Sequence, residues 1–235
     1  MTSATTEPTQ PAPVPASPGA STDPGATASP AAPASPAVPA SPVVPASPAV
    51  VVGDDGLARC SWSASDAEYR RYHDEEWGRE QRDSRALYEK LCLEGFQAGL
   101  SWITILRRRP AFREVFHGFD VEAVAAMTED DVERLLQDAR IIRHRGKITA
   151  TISNARAVLA LDVPLNDLMW SFAPAATDHR RPRAWSEVPA VTAESTALSK
   201  ELRRRGFRFV GPTTMYALMQ ATGMVDDHFE GCFRA

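Results

Sequence analysis

The first fifty residues contain no lysine, no arginine and no aromatic residue, and only two acids, Glu7 and Asp23. They are rich instead in proline, holding thirteen of the nineteen in the chain. Pro-Ala-Ser-Pro recurs from Pro15, Pro33, Pro39 and Pro45, the last three at a six-residue period. Such a segment cannot bury enough apolar surface to offset the entropy of ordering, so a disordered, partly polyproline-like tail is predicted over residues 1–55. It lacks a basic n-region and an apolar h-region, which excludes a secretory signal. No apolar run anywhere approaches the ~20 residues needed to span a bilayer. No membrane partner is expected, and a cytoplasmic location is. Three cysteines, Cys60, Cys92 and Cys232, are too few for a disulfide framework and point to a reducing compartment. Charge of one sign is missing too. Beyond the first fifty residues, 28 acids (30 less Glu7 and Asp23) face 26 bases, so net charge selects no class of partner.

The remaining stretch, residues 56–235, is long enough for one well-buried domain. Its beginning and end carry Cys60 and His73, thirteen residues apart, and His228 and Cys232, four apart. Two sulfurs and two imidazoles suit a closed tetrahedral zinc site with a structural role. Such a site would fasten the two ends of the domain together. His117, His144 and His179 are read as ordinary histidines, and Cys92 as core.

Between these half-sites the periodicity is helical throughout, and no convincing alternating strand is found. The class is all-α. Val50–Gly56 reads as a linker ending. Asp66–Asp74 forms a short helix, and four large aromatics, Trp62, Tyr69, Tyr72 and Trp77, fall in or near it. Asp83 or Ser84 caps a helix running to Glu94, with Gly95–Leu100 as an irregular turn. Glu94 falls on the apolar stripe of that helix (Leu87, Leu91, Ala98), where a carboxylate is costly unless something pairs with it. Ser101 caps a helix with Trp102 and Ile105, and Pro110 is expected to end it. Thr128-Glu-Asp-Asp131 reads as a capping box. Lys147–Leu159 is a helix with Ile148, Ile152, Ala155 and Leu159 on one face. Gly206–Gly211 is a backbone hairpin between two helices, and Pro212 opens the second.

Local basic clusters (Arg107–Arg109, Arg143–Lys147, His179–Arg183, Arg203–Arg208) interrupt the neutral average. Residues 128–159 and 194–222 each have the form helix, glycine-bearing turn, helix with basic flanks. A turn of that kind can face a phosphate with its backbone N–H groups. In the second segment Gly206 and Gly211 bracket the turn and arginines, Arg208 among them, crowd it.

Several motifs together resemble bacterial 3-methyladenine DNA glycosylase I, within the helix-hairpin-helix glycosylases. They are Arg59-Cys60-x-Trp62, Tyr72-His73-Asp74-x-Glu76-Trp77-Gly78, Leu93-Glu94-Gly95-x-Gln97-Ala98-Gly99-Leu100-Ser101-Trp102, Arg143-His144-Arg145-Gly146-Lys147 and Gly206-Phe207-x-Phe209-Val210-Gly211. The resemblance spans about residues 58–232. It implies excision of 3-methyladenine from alkylated double-stranded DNA by a monomeric, monofunctional enzyme that flips the base. It implies that Glu94 bonds the amine edge of the lesion, that Tyr72 and Trp102 wall the base pocket with Tyr69, Trp62 and Trp77 close by, and that Leu100 enters the duplex. The same motifs place a structural zinc on Cys60, His73, His228 and Cys232. Asp226 and Asp227 adjoin His228 and are read as orienting its ring rather than as a general base. No lysine sits in the pocket motifs, so β-lyase chemistry is not expected. A non-catalytic, zinc-stapled DNA-binding module is the alternative class, and it has no use for Glu94. A zinc hydrolase would need an open coordination position, which four ligands deny.

Overall fold

The computed structural model describes residues 48–175 and 180–235; the Pro-Ala-Ser-Pro repeats and His179 lie outside the described residues. Among the described residues the chain forms nine α-helices and a two-stranded ribbon. The ribbon is the departure from an all-helical reading. Strand β1 (Val50–Val52) pairs antiparallel with β2 (Ala58–Cys60), with Val51 opposite Arg59. Three consecutive β-branched residues supply the strand propensity that the linker reading passed over. Gly56, at φ +77°, closes the turn. The rest is helical, as expected.

Helix α1 (Ala67–Glu75) is capped by Asp66, whose side chain accepts from the backbone N–H of Glu68 and Tyr69. Helix α2 (Ser84–Gln97), capped by Asp83, is the most enclosed of the set, with Leu87, Tyr88, Leu91, Leu93, Glu94 and Phe96 all buried. It runs three residues past the predicted end at Glu94. Gly95 does not break it. A Cβ at Gly95 would lie 3.2 Å from the Phe209 Cβ, so this glycine admits a neighbouring segment. The turn falls instead at Gly99, at φ +82°.

Helix α3 (Trp102–Val115) likewise passes through Pro110, which was expected to end it. A proline inside a helix costs about 3 kcal/mol. Burial of Phe112 and Val115 beyond it offsets that, at about 1.5–3 kcal/mol for each side chain. Their burial belongs to an aromatic core in which the Phe96 and Phe112 centroids are 4.6 Å apart.

Helices α4 (Val121–Ala125), α5 (Glu129–Gln137, with the Thr128 capping box in place) and α6 (Arg145–Leu159) follow. His144 caps α6 by accepting from the Lys147 N–H, a structural use for one of the histidines set aside above. Leu159, expected on the buried face of α6, is exposed at the helix end. After α7 (Leu165–Trp170), α8 (Ala193–Arg204) and α9 (Pro212–Ala221) enclose the Gly206–Gly211 turn. Gly206 takes φ +91°, a conformation that only glycine adopts without strain, and Gly211 stands at the head of α9 with Pro212 in its first turn. The chain then returns to the ribbon, where the Phe233 N–H donates to the Ala58 carbonyl at 2.7 Å. Among the described residues no helix is long and apolar enough to cross a membrane.

Candidate base pocket and metal cluster

Helix α1 places two adjacent buried side chains, Tyr72 and His73, on two different sites. Tyr72 enters a cavity of about 360 Å³, and His73 enters a cluster of sulfur and imidazole. All six residues assigned to a pocket from the sequence line that cavity: Trp62, Tyr69, Tyr72, Trp77, Glu94 and Trp102. The rings pack edge to face or tilted, with Trp62 at 5.6 Å from Tyr69 and 5.2 Å from Trp77, and Tyr72 at 5.6 Å from Trp102. Tyr69 accepts from the Ile103 N–H at 3.0 Å, which ties the first turn of α3 to α1 and fixes Trp102 opposite Tyr72.

Glu94 reaches the cavity from the buried side of α2 and is only 4% exposed. One of its oxygens, Oε2, has no hydrogen-bond partner, and neither does Nε1 of Trp102. Buried polar atoms are nearly always paired, so two orphans lining one cavity mark places that a ligand would satisfy. Burial pushes the Glu94 carboxyl up to about 7, with the nearby Lys90 opposing. An aromatic box with one acid at its edge can hold a flat, electron-poor ring and bond an amine on it.

The metal half-sites meet. Cys60, His73, His228 and Cys232 are buried, and their four ligand atoms lie within 4.8 Å of one another. Cys232 Sγ is 3.4 Å from His73 Nε2 and 3.7 Å from His228 Nδ1, and Cys60 Sγ is 3.7 Å from the same Nδ1. A tetrahedral ion with bonds of about 2.0–2.3 Å sets its ligand atoms roughly 3.3–3.8 Å apart, and these three sulfur–nitrogen separations fall in that range.

The outward nitrogens of both rings are held as well. His73 Nδ1 faces Asp74 Oδ1 at 2.8 Å, and that carboxylate also takes the Arg59 guanidinium. His228 Nε2 faces the Trp77 carbonyl at 3.3 Å. Each ring thus has its inner nitrogen free to ligate, the arrangement that orients metal-bound imidazoles. Gly78 belongs to this arrangement, since a Cβ there would sit 2.8 Å from His228 Nε2.

Residues 62–235 match the family model for methyladenine glycosylase. The chain belongs to the methyladenine glycosylase family. It is 52% identical over 179 residues to DNA-3-methyladenine glycosylase 1 of Escherichia coli, covering 75% of this chain and 96% of that one. It is 47% identical to DNA-3-methyladenine glycosylase of Haemophilus influenzae, covering 74% of this chain and 96% of that protein. A crystal structure of 3-methyladenine DNA glycosylase I superposes with a TM-score of 0.72 at 51% identity, covering 74% of this chain and 98% of that one. The Staphylococcus aureus enzyme, whose structure addresses 3-methyladenine recognition, gives 0.71 at 35% identity over 74% of this chain and 95% of that one.

In this methyladenine glycosylase, the reading of two acids changes. Asp226 and Asp227 do not orient the His228 ring, whose outward nitrogen faces the Trp77 carbonyl. Asp226 accepts from Arg181 at 2.8 Å and from the His228 backbone N–H at 3.3 Å. Asp227 lines the cavity and accepts from Tyr216 Oη and Gln220 Nε2, each at 2.7 Å. Lys147 of the Arg143–Lys147 cluster is turned inward: its Nζ donates to the carbonyls of Phe96 (2.9 Å) and Ala98 (2.6 Å), capping the end of α2. Arg145 pairs with Glu129 and Glu133, so the first basic segment is largely neutralised.

The second basic segment keeps Arg208 exposed and, among the described residues, without an ion pair. Asn154 fastens its backbone at both N–H (2.8 Å) and C=O (3.1 Å). Leu100 is 41% exposed on the turn between α2 and α3. Trp185, Gln220 and Lys90, all beside the pocket, were missed. Trp185 sits in a polar loop with no periodicity, and Lys90 falls on the apolar side of α2, where a lysine gives no signal of its own.

Proposed function

We propose that this protein is a monofunctional DNA glycosylase that hydrolyses the N-glycosidic bond of 3-methyladenine in alkylated double-stranded DNA, leaving an abasic site. The observation that carries it is Glu94: a buried carboxyl with an unpartnered oxygen in a cavity walled by aromatic rings. N3-methylation makes adenine a cation. Electron-rich ring faces attract such a cation by roughly 0.5–2 kcal/mol per contact, and Glu94 supplies the matching charge and accepts from the exocyclic amine. Unmodified adenine is neutral, gains neither in full, and departs poorly.

The damaged base needs little acid catalysis. As the C1′–N9 bond breaks, its electron pair passes to the ring and cancels the charge. Water adds to C1′ and releases its proton to solvent. Glu94 binds the base and electrostatically stabilises its departure. Extruding the nucleotide costs a few kcal/mol, less at a damaged pair. Leu100 fills the gap it vacates. The Gly206–Gly211 turn and Arg208 hold the phosphates, which positions the protein without reading sequence. Zinc is the ion proposed for Cys60, His73, His228 and Cys232. With four protein ligands its contribution is structural, closing the domain ends and fixing the helix that carries Tyr72.

Release of free 3-methyladenine from methylated duplex DNA, followed by chromatography, tests the activity directly. A non-catalytic module would bind the DNA and release nothing. Leu100→Ala is expected to lower excision from duplex about tenfold or more, the cost of one lost buried aliphatic contact of ~1.5–3 kcal/mol. Affinity for free 3-methyladenine is expected to stay unchanged. Equal loss in both assays would place Leu100 in the pocket rather than in the duplex.

A further inference from the structure

Lys90 has no part in the chemistry above, yet it is buried and centrally placed. It stands one helical turn before Glu94 on α2. Its Nζ donates to Glu76 Oε1 at 2.5 Å and to Tyr72 Oη at 3.3 Å. It lies 4.8 Å from the centroid of Tyr72 and 5.5 Å from that of Trp102, the two facing walls of the base pocket. Arg109 of α3 donates to the same Glu76 carboxylate at 2.7 and 2.6 Å. Burying a lysine is expensive, and an apolar side chain of similar size would fill the space at no such cost. Something other than packing must keep it there.

Charge balance supplies the reason. Two cations, Lys90 and Arg109, share one anion, Glu76, whose carboxyl burial would raise but which both partners together hold at about 2. One positive charge is left over, and Glu94 is the buried anion beside it. The titratable and charged groups around this pair are Tyr72 and, at the end of α1, Glu75, Glu76, Arg79 and Glu80; Glu89 of α2, which is paired with Arg113; Arg109 of α3; and, across the cavity, Asp227 with Tyr216 of α9. Asp227 is hydrogen-bonded to Tyr216 and Gln220. Take Lys90 away and Arg109 still neutralises Glu76, while Glu94 loses its counter-charge.

We propose that Lys90 is a positioning residue for the pocket anion: from behind the Tyr72 and Trp102 rings it keeps Glu94 ionised before the base arrives. The pocket is thereby set for a cationic purine and does not have to shed a proton on binding it. This rests on the reading of Glu94 as the partner of the base. Lys90 touches neither base nor DNA.

The experiment is the pH dependence of kcat/KM for 3-methyladenine release, measured for the metal-loaded wild type, Lys90→Met, Lys90→Arg and Glu94→Gln. Losing an opposite charge within about 4–6 Å moves a carboxyl by about 1–3 pH units, and Lys90 stands one helical turn from Glu94. Lys90→Met should therefore carry its acid limb that far to higher pH. It should fall at least about fivefold at neutral pH and return toward wild type at alkaline pH. Lys90→Arg, which keeps the charge, should hold the limb nearer its wild-type position. A loss in Lys90→Met that is equal at every pH overturns the proposal and makes Lys90 structural, as does an unmoved limb. Glu94→Gln separates the two readings. If it abolishes the acid limb while Lys90→Met leaves that limb in place, only the Lys90 proposal fails. If Glu94→Gln keeps full activity and an intact limb, the role of Glu94 itself fails. Melting temperature and metal content of each variant report folding independently of activity.

Discussion

Glu94→Gln is expected to lose about 10²–10³ in excision rate, the usual cost of removing one preorganised electrostatic contact to a reacting group. The same variant is expected to be more stable than the wild type above neutral pH. Both effects come from one fact, that the carboxyl is buried with an unsatisfied oxygen. Its value is raised from 4.5 to about 7, so the folded protein holds a proton there that the unfolded chain releases. Between those two values folding is favoured by protonation, and wild-type stability falls as pH rises through the window. Above it, the cost of keeping Glu94 ionised is on the order of 3 kcal/mol at most. Glutamine carries no charge and escapes that cost. Thermal melts of the two proteins should therefore converge at acid pH and separate at about pH 8 with the variant higher. Undiminished excision would remove Glu94 from the mechanism. A variant less stable than wild type at alkaline pH would show that the carboxylate is paired in a way the cavity does not reveal.

Glu94 was legible in the sequence because two independent signals coincide on it. It breaks an apolar stripe, and it sits in a long motif. Tyr72 and Trp102 were legible through the motif alone, since periodicity assigns aromatics to core first. The two halves of the Cys/His cluster could be read from residue type and spacing, but not that they would meet, which depends on how α1 and the end of the chain pack. What failed to be legible is what tertiary contact decides. Gly95 and Pro110 both break helices by intrinsic preference. In this fold Gly95 admits Phe209 and Pro110 is carried by the burial of Phe112 and Val115, so both helices continue. The three valines of β1 form a strand only because β2 is there to pair with them. Lys147 and Lys90 were misread or missed for a shared reason. A lysine in a sequence announces a solvated charge, whereas here one caps the end of α2 and the other lies beneath two rings.

Stripping the metal is expected to produce the largest loss of stability of any change considered, and to do so at the two ends of the domain first. Cys60 and Cys232 are the outermost members of the cluster in the chain. An ion joining them closes a loop of nearly the whole domain. A covalent link closing a loop of about 100 residues is worth roughly 4.7 kcal/mol in the chain-entropy account, and a metal cross-link of this span should be of that order or somewhat more. The local packing around the four Cys and His side chains is thin: Cys60, Phe229 and Cys232 form a small cluster of their own, apart from the main core. The aromatic core of Phe96, Phe112 and Phe116 does not depend on it. Chelation should thus lower the melting temperature by many degrees and open the amides of β1, β2 and residues 226–235 to hydrogen exchange, while those of α2 and α6 stay protected. Affinity for free 3-methyladenine should fall with it, because His73 and Tyr72 share α1, and added zinc should restore both. Cys232→Ser should imitate the chelated state. A protein purified without stoichiometric metal, or one whose melting and end-segment exchange ignore chelation, would end the structural-zinc reading. The hydrogen bonds that Asp74 and the Trp77 carbonyl accept would then hold the two histidines together with the packing of their rings on Trp62 and Trp77.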